Sequence, residues 1–214
     1  MLLLFIIIPI IVGVYKYKEL DFSYRLLLYL SCISFINESL SFIFYRVPTY
    51  KLAPFWNNIF NYQSQLFSLP LLVYIAFSWL GLLKKNQLTV KFFLFCIASV
   101  LLEIYLIGLE QIRGSFAVLF CTLIGIFIFI YSLNYLLKKQ LIIKEKRSKL
   151  LIILPFIISD IYSISLDIYI YYLYSDETAL TFQMLYNVLM AIVALKLLCT
   201  ALSIWWAPKK EVFI

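Results

Sequence analysis

The sequence predicts an all-α fold, a polytopic bundle of seven transmembrane helices forming one domain over residues 1–214. Three observations predict it. Of the 214 residues, 64% are hydrophobic and 14% are charged, against roughly 45 to 50% apolar content in soluble domains. The mean hydropathy is +0.98, and the apolar residues collect in runs about as long as a bilayer is thick. Lys and Arg, finally, gather beside every second boundary between runs, as loops sorted by a membrane do.

The spans follow in order. The first, 2–15, is short, contains Pro9 and ends in Tyr15-Lys16-Tyr17-Lys18. No basic region precedes it and no small-residue cleavage site follows, so it reads as a retained span rather than a signal peptide. The others are 24–45, 55–83, 90–109, 115–137, 150–174 and 180–206, with a short basic loop from 138 to 149. One side of the expected topology carries fourteen cations: Lys16, Lys18, Arg25, Lys84, Lys85, Lys91, Lys138, Lys139, Lys144, Lys146, Arg147, Lys149, Lys209 and Lys210. The other carries three, Arg46, Lys51 and Arg113. Short basic loops resist translocation, which puts the N-terminus outside and the C-terminus in the cytoplasm.

The net charge of +7 is thereby a matter of topology. The expected partner of the basic loop is the anionic headgroup layer of the bilayer, and no nucleic acid is expected. Aromatics near the run ends, among them Tyr15, Trp56, Trp79, Trp205 and Trp206, fit an interfacial belt.

Composition excludes several chemistries. There is no histidine, which removes Ser/His hydrolysis, His-ligated metals and imidazole-bound haem. Cys32, Cys96, Cys121 and Cys199 stand singly in four runs without CxxC spacing, so neither a zinc site nor a disulfide framework is indicated. The five glycines form no nucleotide loop and no GxxxG. The expectation is a protein without cofactor, metal or enzymatic activity.

Candidate functional residues are the polar groups inside the spans, where a charge costs roughly 2.5 to 3.5 kcal/mol even on mild insertion scales. At 100° per residue, Ser31, Ser34, Glu38 and Ser41 share one face of span two. Asn58, Asn61, Gln65 and Ser68 repeat that spacing in span three. Asp160, Ser163, Asp167 and Tyr171 follow one another in span six, and Gln183 and Asn187 are one turn apart in span seven. Counted at 1.5 Å per residue, Glu38, Asn61, Gln65, Asp167 and Asn187 fall between the midplane and the outer surface. Four converging polar faces would enclose a hydrated cavity near the outer side, with Pro70 as a kink that widens it. Glu103 is a further intramembrane carboxylate.

Lys196 lies about ten residues before Trp206, too deep to reach the cytoplasmic interface entirely by snorkelling. Asp160 falls at similar depth and is the first candidate for its buried partner. Lys196 is also nine residues beyond Asn187, about half a turn round the helix, so one narrow cavity does not easily take both.

A lysine in the seventh of seven helices is shared with the retinal-binding rhodopsins, but Ile192 stands where that family has an Asp, and span three lacks the counter-ion series. No Pro-Gln occurs for a PQ-loop transporter, and no GxGD for an intramembrane aspartyl protease. Tyr15-Lys16-Tyr17-Lys18-Glu19-Leu20, Ser34-Phe35-Ile36-Asn37-Glu38, Trp56-Asn57-Asn58, Tyr186-Asn187 and Trp205-Trp206 resemble small uncharacterised six- or seven-helix membrane proteins of Bacteroidota-type bacteria. The resemblance implies a similar bundle in a bacterial inner membrane and brings no activity with it.

Three functions suit this pattern. The first is a non-enzymatic sensor or accessory protein whose outer cavity, lined by Glu38, Asn58, Asn61, Gln65, Asp167, Gln183 and Asn187, holds a small polar ligand or cation and signals through a membrane or cytoplasmic partner protein. The second is a proton- or cation-coupled carrier using Glu38 or Asp160, with Lys196 as internal counter-ion. The third is a structural subunit of a membrane complex.

Overall fold

The computed structural model describes residues 2–46, 68–80, 86–107, 116–139, 141, 143–173 and 179–208, with backbone alone at 2, 41–46, 86, 88, 107, 116, 118, 167, 170–173 and 179. Among the described residues the chain is all-helical and has no strand. The described residues form seven helices: α1 (Leu2–Lys16), α2 (Phe22–Arg46), α3 (Leu69–Trp79), α4 (Asn86–Ile107), α5 (Phe116–Lys138), α6 (Ile143–Leu173) and α7 (Ala179–Trp206).

Among the described residues four segments are long and apolar enough to cross a membrane: Thr89–Leu106, Leu119–Lys138, Ile143–Leu166 and Leu180–Trp206. Such a bundle fits a membrane protein. Two shorter apolar helices, Leu3–Lys16 and Leu69–Trp79, accompany them. At 1.5 Å per residue, the 15 residues of α1 reach about 22 Å, short of a hydrocarbon core of roughly 30 Å. Of the third expected span, positions 55–67 lie outside the described residues.

The basic stretch expected to be a loop is largely helical. Helix α6 begins at Ile143, so Lys144, Lys146, Arg147 and Lys149 sit on its first turns, and the connection from α5 is only 139–142. The cause is local: Lys, Glu and Arg are good helix formers, Glu145 lies in the first turn where the helix dipole favours an acid, and it pairs with Lys149 one turn on. Apolarity marks where a span enters lipid, whereas propensity and pairing decide where the helix begins.

Six helices form a closed ring through the contacts α1 with α2, α2 with α3, α3 with α5, α5 with α6, α6 with α7 and α7 with α1, while α4 packs on its outside against α3 and α5. The ring interior holds Leu20, Tyr24, Leu27, Ile75, Trp79, Phe129, Leu136, Ile152, Ile153 and Ile204. A second cluster, Leu69, Val73, Phe92, Cys96 and Cys121, joins α4 to the ring. At Gly13 and Gly125 the missing side chain admits Leu28 and Leu69, whose tips would lie 2.6 Å and 2.7 Å from an added Cβ. Such close approach counts in lipid, where helices associate by packing more than by escape from water. Outward, α4 exposes Val90, Leu94, Leu101, Leu102 and Leu106, a surface suited to acyl chains.

One end of the ring is tied by polar contacts. The Lys16 ammonium donates to the Trp205 carbonyl and lies 4.7 Å above the Trp205 ring, which Tyr15 stacks upon. Ser148 Oγ donates to the Ser203 carbonyl (2.9 Å), and Ser203 Oγ donates back to the Ser148 carbonyl (2.8 Å). Ser148 has one hydroxyl hydrogen and gives it to Ser203, so Tyr24 is the donor in the 2.7 Å contact between Tyr24 Oη and Ser148 Oγ. Trp79 is 5% exposed, packs on Tyr24 at 5.8 Å and donates from Nε1 to Ser23 Oγ (3.2 Å), beneath the Lys149 ammonium. It therefore belongs to the core and not to an interfacial belt, whereas Trp205 and Trp206 are 47% and 46% exposed.

Candidate functional site

Further along the ring a cavity of about 190 Å³ opens among α2, α3, α5, α6 and α7, five of the six ring helices. Each helix brings one stripe to it, as a period of 3.6 residues requires. Helix α2 supplies Leu27, Leu30, Ser31 and Ser34; α6 supplies Phe156 and Asp160; α7 supplies Lys196, Leu197 and Thr200. Ser68, Leu69 and Leu72 line it from the start of α3, and Thr122 from α5. Pro70 sits in the first turn of α3, where a missing N–H is tolerated.

Asp160 and Lys196 thus line one cavity and act on each other electrostatically. They form no direct ion pair; among the described residues that geometry occurs between Lys149 and Glu145. The Lys196 ammonium donates instead to Ser159 Oγ (3.1 Å) and rests over the Phe156 ring, 4.7 Å from its centre. An ammonium has three hydrogens, so after the bond to Ser159 it retains donors for a further acceptor.

The hydroxyls have a complementary bias. Ser31 Oγ donates to the Leu27 carbonyl (2.9 Å) and Thr200 Oγ1 to the Lys196 carbonyl (2.8 Å), each bonding its own helix one turn back. With their hydrogens engaged they offer lone pairs, so Ser31 and Thr200 act as acceptors. With Asp160, also an acceptor when ionised, they line the same cavity as one strong donor, Lys196. On α2, three residues beyond Ser34, Asn37 Oδ1 is buried without a hydrogen-bond partner.

The other expected residues lie elsewhere. Glu38, Gln183 and Asn187 are exposed, and none of them lines this cavity. Asn58, Asn61 and Gln65 lie outside the described residues, and only the backbone of Asp167 is described. Glu103 is 5% exposed and accepts the Ala117 N–H at 3.2 Å in the first turn of α5, where the positive end of the helix dipole suits a carboxylate. Its place is structural.

Among the cavity's polar and aromatic contributors, Thr200, Phe156 and Thr122 line it unexpectedly, and Ser159 holds Lys196. Thr200 lies one turn beyond Lys196, and Phe156 one turn before Asp160, so the i,i+4 rule could have found both. Ser159 and Thr122 carried no such signal, because a single hydroxyl in an apolar run usually bonds its own backbone. Set beside known proteins, the chain matches no family model, no curated sequence and no solved structure.

Proposed function

We propose that this chain is a non-enzymatic, multi-spanning membrane protein of the sensor or accessory type, holding a small polar ligand or cation inside its helix ring. The observation that carries the reading is the cavity: an acidic side chain, a basic side chain and several hydroxyls line a common space within a largely apolar bundle. Charged groups placed that deep are costly and mark ligand or ion sites in membrane proteins. Merely joining helices would favour direct contact between the two, as Ser148 and Ser203 make.

Seven spans, an outer N-terminus and a cytoplasmic C-terminus in a bacterial inner membrane complete the reading. Its support is that basic residues near the ends of α1, α2, α5 and α6 cluster at the tied end of the ring, as a positive cytoplasmic face requires. Glu38, Asn58, Asn61, Gln65, Asp167, Gln183 and Asn187 would line the approach from the outer side. A signal would pass through a membrane or cytoplasmic partner protein.

A carrier is the second reading, favoured by Pro155, which interrupts the hydrogen bonding of α6 five residues before Asp160. The test is thermal unfolding of the detergent-purified protein against inorganic cations, sugars, amino acids and organic acids. At least one class should stabilise the native chain, and Ser34→Leu, which fills the cavity, should abolish the response. No response from any class, or an unaltered one in Ser34→Leu, would remove the ligand-binding function. Uptake of the stabilising compound into proteoliposomes would select the carrier.

A further inference from the structure

Resting on that ligand-binding reading, the cavity chemistry narrows the ligand class. We infer that the site takes a small zwitterion, its ammonium group against Asp160 and the lone pairs of Ser31 and Thr200, its carboxylate against Lys196. Three features of the cavity carry this.

The first is the separation of charge. Asp160 and Lys196 share the cavity without closing on each other, since Lys196 is held by Ser159 and the Phe156 ring. A ligand with one charge would satisfy one of them and leave the other in the same low-dielectric space facing a like charge. A dipolar ligand satisfies both, so the net charge of the occupied cavity equals that of the empty one.

The second is the assignment of hydrogens. Ser31 and Thr200 have given theirs to their own helices and can only accept, which matches the three N–H bonds of an ammonium group. Lys196 can only donate, which matches a carboxylate.

The third is size. A cavity of about 190 Å³ has room for several waters or for one small organic molecule. Glycine, alanine, β-alanine and 4-aminobutyrate are of that order.

The experiment compares charge types at matched size. The purified protein is heated with glycine, alanine, β-alanine or 4-aminobutyrate, with propionate and ethylamine as singly charged counterparts, and with sodium, potassium and glycerol. At saturation at least one zwitterion should raise Tm by about 4 °C or more, with propionate and ethylamine inactive. Asp160→Asn and Lys196→Gln should each weaken the apparent affinity at least tenfold. Glu145→Gln, at the tied end of the ring and away from the cavity, should keep the response and so report that the fold tolerates a lost carboxylate. Equal stabilisation by propionate or ethylamine, or by sodium or glycerol alone, would overturn the zwitterion assignment while leaving the ligand site standing. Silence from every compound, here and in the wider panel above, would overturn both.

Discussion

Helices α6 and α7 meet at several polar places, and two of them are built on opposite principles. At Ser148 and Ser203 every hydroxyl hydrogen is used between the helices, Tyr24 adds a third donor, and no space remains. Eleven residues along α6, about 16 Å away, Ser159, Asp160 and Lys196 carry far more charge, yet they leave a cavity and hydrogen-bonding capacity unused. Neutral, mutually satisfied groups suit a permanent joint, because such bonds carry little desolvation cost and lose much when one partner goes. Charged groups kept apart suit a reversible one. The tied end therefore holds the ring together, and the cavity is where it is free to respond.

That contrast makes predictions of graded size. The largest is for Ser148→Val. It strips the acceptor from Tyr24 Oη and one donor from the Ser203 carbonyl in a fully buried position, while Ser203 Oγ keeps the carbonyl of residue 148; a stranded buried group costs about 1–3 kcal/mol. Thermal unfolding in detergent should show a clear drop in Tm, with zwitterion binding intact in whatever folds. Gly125→Val comes next, since its branched side chain drives into Leu69 and overpacking costs about 1–3 kcal/mol. Because Leu69 also lines the cavity, this variant should lose both stability and ligand response, coupling the two regions.

Tyr24→Phe should cost about 1 kcal/mol, a single hydrogen bond with the Ser148 and Ser203 exchange retained. Asp160→Asn should change stability little or raise it, because no direct ion pair is lost, and should remove the ligand response. A large destabilisation by Asp160→Asn with no effect on binding would reverse the roles assigned to the two places. Smallest is Glu145→Gln, which loses an i,i+4 pair near the helix end worth roughly 0.3–0.5 kcal/mol. Its effect on Tm should fade further in high salt.

Much of the fold was legible because hydropathy acts through local composition. The long apolar runs that became α4, α5, α6 and α7 could be placed to within a few residues, apart from the first turns of α6, where helix propensity extended the element through charged positions. Of the site, Lys196 and Asp160 could be matched by depth along their helices. The partner of Lys196 could not, since Ser159 and Asp160 are adjacent and only helix rotation decides which of them the ammonium meets. Glu103 shows the same limit: as an acid within an apolar run it is indistinguishable from a functional carboxylate until α5 is seen to begin beside it.

The sequence by itself determined an all-helical bundle, the absence of imidazole chemistry, the asymmetry of positive charge and the burial of a few charged side chains, because each depends on which residues are near one another along the chain. Tertiary structure alone decided that six helices close into a ring with α4 outside, that Trp79 enters the core, and that Asp160 and Lys196 share a cavity without touching. Helix rotation and neighbour choice rest on interlocking side chains far apart in the chain, and no periodicity within one helix records which face its neighbours will present.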